Sequence, residues 1–212
     1  MRRLRQRRWR ELTDERLLQL FDKGRDPAFE ELLRRHGSAI KAYALRMLRR
    51  PEVAEEVYME TFERVAALRG KRPQRGGSVR SYFFTIAHNR CVDLLRHARR
   101  VRESRPQVTE LEITRKLQVS PDAEVALGRV AEELEEALAT LPEGHRQVLL
   151  LRTVHGLSSR ETAEIVGLDE GQVRSQLSYA RKQIRKMLAV HHAELAGRRQ
   201  AGPASARIGR RP

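Results

Sequence analysis

Six residues in the last third of the chain carry the side chains that proteins use to contact nucleic acid: Gln172, Arg174, Ser175, Ser178, Arg181 and Lys182. Amide and guanidinium groups reach base edges, and hydroxyls and cations reach phosphates. They fall on the outward side of a helix whose other side repeats Val173, Leu177, Ala180, Ile184 and Leu188 at spacings of four, three, four and four. A solvated charged face fits the same pattern, and for Arg181, Lys182 and Arg185 that reading stands beside contact with DNA. Residue types for catalysis occur elsewhere without grouping. His88, Cys91 and Asp93 share one helical stretch, but Cys91 falls next to its apolar stripe, where a packed thiol is inert. His191 and His192 are adjacent rather than four apart, which is not the spacing of a helical metal pair. With one cysteine there is neither an internal disulfide nor a thiolate cluster, so no catalytic, cofactor-binding or metal residue is assigned.

The elements that position the six residues run from Leu141 to Leu188. Pro142 suits a first helical position, and Val148, Leu149 and Leu151 form an apolar face until Gly156 stops the helix. Ser158 or Ser159 can cap the next helix, with Glu161 and Glu164 near its positive end. Gly167 ends that helix within about three turns, and another starts near Asp169. Ala163, Gly167 and Val173 stand four and six residues apart. The small residue lets the helices touch, the glycine permits the turn, and the valine buries the second helix against the first. Two helices joined by a glycine turn, the second long and basic, read as helix-turn-helix.

Charge points to the same class of partner. The 212 residues carry a formal net charge of +15, which favours a polyanion. Residues 1–10 hold six arginines and no acid, and residues 198–212 hold five, so eleven of the fifteen charges lie at the ends. Residues 1–12 and 191–212 therefore read as flexible basic arms, or as solubilising ends. No run of eighteen apolar residues exists, and no signal-peptide core follows the first arginines, so the expected location is cytoplasmic without membrane insertion.

The amino-terminal half reads as helices. One starts at Thr13 or Asp14 and ends near Gly24, and a second opens at Asp26 and Pro27 with a possible kink around Gly37. A third starts at Pro51 and turns Val53, Val57, Thr61, Phe62 and Val65 inward and Glu52, Glu55, Glu56, Glu60 and Glu63 outward. That acidic row is a poor DNA surface; it is solvated or docks a basic protein. A basic loop containing Arg75 follows, and Ser78 can cap a fourth helix that shows Tyr82, Thr85, His88, Asn89 and Arg96 on one side. Aromatics, amides and arginines beside a basic loop suit unstacked single-stranded bases, with Tyr82 and Phe84 as core residues the alternative. Residues 101–120 break the pattern and read as a linker, and Ser120 and Pro121 cap a helix through about Thr140. The expected fold is all-α: two small helical domains, residues 13–100 and 121–190, joined by a flexible linker.

The stretch LPEGHRQVLLLRTVHGLSSRETAEIVGLDEGQVRSQLSYARKQI resembles region 4 of bacterial sigma-70 family RNA polymerase sigma factors. AFEELLRRHGSAIKAYALRML, PEVAEEVYMETFERV and VRSYFFTIAHNRCVDLLRHARR resemble successive parts of region 2. The short gap between them leaves no room for a region 3, which is the layout of the extracytoplasmic-function group. The resemblance implies a promoter-recognition subunit without enzymatic activity. Its partners would be promoter DNA and core RNA polymerase, through the clamp of the largest catalytic subunit and the flap of the second largest, and an anti-sigma factor is possible. It places Glu56, Glu60, Thr61 and Phe62 at the polymerase. It places Arg75, Tyr82, His88, Asn89 and Arg96 at the minus 10 element, and the six outward residues of the last helix at the minus 35 element. A stand-alone helix-turn-helix regulator is the alternative. Met59, Ala66, Tyr82 and Gln176 depart from residues usual in the family, which implies altered polymerase affinity and one phosphate contact fewer at Gln176.

Overall fold

A computed structural model of the chain describes residues 9–71, 77–104 and 125–200, with side chains for all of these except 125–132 and 190–200. Among the described residues every regular element is a helix. The first domain comprises α1 (Asp14–Asp22), α2 (Asp26–Leu48), α3 (Pro51–Ala67) and α4 (Val79–Ser104). The second comprises α5 (Val125–Thr140), α6 (Glu143–Leu149), a π turn (Leu150–Val154), α7 (Ser159–Val166) and α8 (Glu170–Gln200).

Local chemistry sets these boundaries. Thr13 accepts the backbone N–H of Arg16 and caps α1. Prolines at the first turns of α2 and α3 lose no helical hydrogen bond there. Ser78 accepts the N–H of Ser81 and caps α4. Leu17, Phe21, Leu32, Ile40, Met47, Val57, Val65 and Phe83 fill the first core, with α2 at its centre. Leu138, Leu141, Val148, Leu157, Ile165, Val173 and Ala180 fill the second. Val148 through Leu151 are four consecutive buried residues, so the helix there is apolar all round, and the π turn lies at its end.

Three expectations change. α2 runs unbroken through Gly37, and the glycine serves packing: a Cβ there would lie 3.0 Å from Cε2 of Tyr58 on α3. Gly37→Val is expected to destabilise the first domain by about 1–3 kcal/mol through overpacking, read as a lower urea midpoint at an unchanged m-value. The amino-terminal arm is anchored from Trp9 onward. Arg35 donates to the carbonyls of Trp9 and Arg10 (both 3.0 Å) and Leu12 (2.9 Å), and to the carboxylates of Asp14 (2.7 Å) and Glu31 (3.0 Å). Trp9 and Leu12 pack against the core. Hydrogen bonding from Arg34, then Arg35, holds the Glu31 carboxyl down at about 2. Finally, α8 continues through residues 191–200, where a flexible tail was expected, since Ala, Glu, Leu, Arg and Gln sustain a helix and no proline comes before Pro203. Most of the expected linker lies outside the described residues; 101–104 extend α4.

Candidate nucleic-acid interface

The upstream surface is built on α7 and α8. Ser158 and Glu161 form a reciprocal cap, the hydroxyl accepting the N–H of Glu161 (3.1 Å) and the carboxylate accepting the N–H of Ser158 (2.9 Å). α7 stops because Gly167 adopts φ 70°, and Ala163 O accepts from Gly167 and Leu168. A second reciprocal cap starts α8: Asp169 accepts the N–H of Gln172 (2.8 Å) and the Gln172 side chain accepts the N–H of Asp169 (3.0 Å). Val173, Leu177 and Ala180 are buried, which turns the opposite face outward. Gln172, Arg174, Ser175, Ser178, Arg181 and Lys182 are all exposed on it.

Beside this face lies an open groove of about 670 Å³ lined by Arg152, Ser159, Arg174, Leu177, Ser178, Arg181, Lys182 and Arg185. Five of these eight are cationic and none is acidic, so the groove is suited to a polyanion's backbone. Arg152 comes from the π turn and donates to the carbonyl of Leu157. It was not singled out from sequence, because it stands outside the helix-turn-helix spacing. The roles of the two leading residues of α8 also separate. Gln172 spends its side-chain oxygen on the helix start, whereas Arg174 touches only Glu170, at 4.0 Å, and is free to reach a base. Arg174→Ala is expected to cost about 1–3 kcal/mol at a preferred upstream element with no loss of thermal stability, read by anisotropy titration of the polymerase complex.

On α4, Asn89 and Arg96 are exposed and Tyr82 is half-buried beside Phe83. Arg75 lies outside the described residues. His88 is a correction: it is buried, its Nδ1 pairs with the Tyr43 hydroxyl at 2.9 Å, and burial pushes its pKa down to about 4. It faces the core because Phe84, His88 and Cys91 follow one helical stripe, all buried. Thr61 and Phe62 are corrections of the same kind. Thr61 is fully buried and donates to the carbonyl of Val57 at 2.6 Å. Phe62 packs its ring on Phe29, Tyr58 and Phe83. The helical period had turned both inward, and the structure agrees with the period rather than with the role the family implied. Glu56 and Glu60 do stand on the surface, with Glu60 paired to Arg90 of α4 at 2.5 Å.

The residues that might have suggested an enzyme do not assemble. Burial pushes the Cys91 thiol up to about 12, His88 is committed to Tyr43, and Asp93 points to solvent. Among the described residues no group of three or more His, Cys, Asp or Glu can hold a metal ion, and no helix is long and apolar enough to cross a membrane.

Comparison with known proteins yields two family matches, in order along the chain: Sigma-70 region 2 over residues 32–101 and Sigma-70, region 4 over residues 131–184. The chain is 30% identical to the RNA polymerase sigma factor YlaC of Bacillus subtilis, over 79% of this chain and 95% of that protein. It is 30% identical to the RNA polymerase sigma factor CarQ of Myxococcus xanthus, over 84% and 99%. It is 29% identical to the ECF RNA polymerase sigma factor SigE of Mycolicibacterium smegmatis, over 82% and 67%. Two solved structures share the fold at 22% identity. One is the sigma factor RpoE in complex with the anti-sigma factor NepR from Bartonella quintana (TM-score 0.65, 76% of this chain and 97% of that one). The other is CnrH in complex with the cytosolic domain of CnrY (TM-score 0.60, 84% and 97%).

Proposed function

We propose a division of labour within a chain that belongs to the sigma-70 family of RNA polymerase sigma factors, in its extracytoplasmic-function (ECF) group. As a sigma factor it binds core RNA polymerase and directs promoter-specific initiation. The observation that carries this reading is the succession of a region 2 match and a region 4 match in one chain. A stand-alone helix-turn-helix regulator would account for only the second of them.

In the proposed arrangement the α8 face lies in the major groove of the minus 35 element. Arg174 reads a base edge there, and the cations of the groove hold phosphates. α4 and the preceding loop engage the minus 10 element, with Tyr82, Asn89 and Arg96 available to unstacked bases of the non-template strand. Stacking and hydrogen bonds on the protein offset the few kcal/mol lost per unstacked step, so opening requires no ATP. The exposed acidic row of α3, with Glu56 and Glu60, faces the polymerase clamp, and the second domain meets the flap. Thr61 and Phe62 act beneath that surface by holding α3 in place. The chain performs no catalysis of its own and works in the cytoplasm, and an anti-sigma factor is a further partner, as RpoE and CnrH have in their complexes. Permanganate footprinting tests this: with ATP omitted, thymines near minus 10 become reactive only when core polymerase and the chain are both present. Reactivity with the chain alone, or none with both, contradicts it.

The arginines of residues 1–10 serve as a non-specific DNA-attracting arm. Each phosphate contact adds about 0.9 to the salt slope. Deleting residues 1–8, ahead of the anchored Trp9, is expected to lower that slope and weaken all promoters by a similar factor without reordering them. A salt series on two promoters of different strength checks it, and an unchanged slope leaves the arm a solubilising end.

A further inference from the structure

The two domains touch, and the contact has its own chemistry. His155, at the end of the π turn, is seated between two buried rings of the first domain, Tyr43 (centroids 5.7 Å apart) and Phe84 (4.7 Å). It is 4% exposed, and its Nε2 has no hydrogen-bond partner. On one flank Ser78 donates to Glu161 at 2.6 Å; on the other Arg46 donates to Glu135 at 2.8 Å. We propose that this contact is a closed, self-masking state of the chain, keyed by the neutral imidazole of His155 and released when the chain engages a promoter or when that imidazole takes up a proton.

Distance requires the release. Elements centred near minus 35 and minus 10 are about 25 base pairs apart, roughly 85 Å along the duplex at about 3.4 Å per pair. In the closed chain Glu161 is bonded to Ser78 at the start of α4, and Glu170, which opens α8, follows nine residues later. Nine residues span at most about 32 Å even when extended. The two reading surfaces cannot hold their elements in this arrangement. The twenty residues between Ser104 and Val125 can reach roughly 70 Å when extended, which permits separation. Closure also masks: Glu161 occupies the amino-terminal end of α4, with the Glu164 carboxylate nearby at Gly77. Two carboxylates there repel a DNA strand approaching the helix assigned to the minus 10 element.

The seat admits only a neutral ring. Tyr43 and Arg46 face it from α2, and Phe84 and Arg80 from α4; His88 lies behind, hydrogen-bonded to Tyr43. Glu135 is engaged by Arg46, and Glu161 is held by Ser78 and lies near Arg80. Burial, then the charges of Arg46 and Arg80, push His155 down to about 4 while the domains are closed. Released into water it regains an ordinary value near 6.5. The closed-state value is the lower one, so protons favour the open chain. Between about pH 6.5 and 4 the ratio of closed to open falls roughly tenfold per unit.

The closure itself rests on these contacts, and its masking role rests on the sigma factor reading. Both are tested on the full chain with a dye pair at Lys41→Cys and Arg160→Cys, positions on α2 and α7, since Cys91 is buried. Energy transfer is expected to be high at pH 7.5 and to fall by pH 5.5. His155→Phe, which keeps a ring but takes no proton, stays closed at both; His155→Lys, a permanent cation, is open at both. The non-template strand of a promoter mapped by run-off transcription should bind His155→Lys several-fold more tightly than wild type at pH 7.5, and His155→Phe no better. Transfer that is insensitive to pH and to both substitutions overturns the closed state. Transfer that changes while strand binding does not overturns the masking role. Should His155→Lys fail to fold by circular dichroism, the pH series on wild type and His155→Phe decides closure, and strand binding by wild type at the two pH values decides masking.

Discussion

Replacing Arg181, Lys182 and Arg185 together by alanine is expected to weaken binding of the polymerase complex to an upstream element several hundred-fold near 0.1 M salt. Each phosphate contact contributes about 0.9 to the exponent of salt dependence, which is roughly tenfold in affinity at that concentration, and the effects of three contacts multiply. All three residues line the cationic groove and are exposed. Their one recorded tie to the rest of the protein is a long hydrogen bond, 3.4 Å, from Arg181 to Thr153. Alanine is the best helix former, so α8 survives the change. The salt slope should fall by about 2.7 while the melting temperature holds. These are also the residues for which a solvated face fitted the sequence as well as DNA contact did, and an unchanged slope would return them to solvent.

Phe62→Ala is expected to destabilise the first domain by about 3–5 kcal/mol, the range for truncating a buried aromatic. The ring is 4% exposed and meets three other aromatic rings, so no neighbour can close the cavity without breaking its own packing. That is a large share of a typical domain stability of about 5–15 kcal/mol. Polymerase binding should fail along with the fold. Glu56→Ala is predicted to behave in the opposite way, lowering polymerase affinity while leaving the urea midpoint within about 0.5 kcal/mol of wild type, as exposed substitutions do. If Phe62→Ala keeps its stability and loses only polymerase binding, Phe62 belongs to the surface after all.

These contrasts show where sequence is a good guide and where it is not. Local signals carry over almost unchanged: the caps at Thr13, Ser78 and Ser158, the prolines opening α2 and α3, and the Gly167 turn sit where short-range chemistry puts them. The outward face of α8 was legible for the same reason, because Val173, Leu177 and Ala180 fix which side is buried. His88, Thr61 and Phe62 were misplaced when positions matched to the family outweighed the helical period, which for Thr61 and Phe62 already pointed inward. His88 had a further reason: its partner Tyr43 is 45 residues away, a pairing no local pattern reveals. Gly37 looked like a kink because the cause of its small size, the ring of Tyr58, belongs to another helix. Arg152 and the seat of His155 were invisible on the same ground, since each depends on which elements meet.

Run-off transcription with purified core polymerase over a library of genomic fragments tests the central claim most directly. The account predicts discrete start sites that appear only when the chain is added, share an upstream and a downstream element, and need no other factor. Start sites identical to those of core polymerase alone, together with tight sequence-specific duplex binding by the free chain, would contradict it.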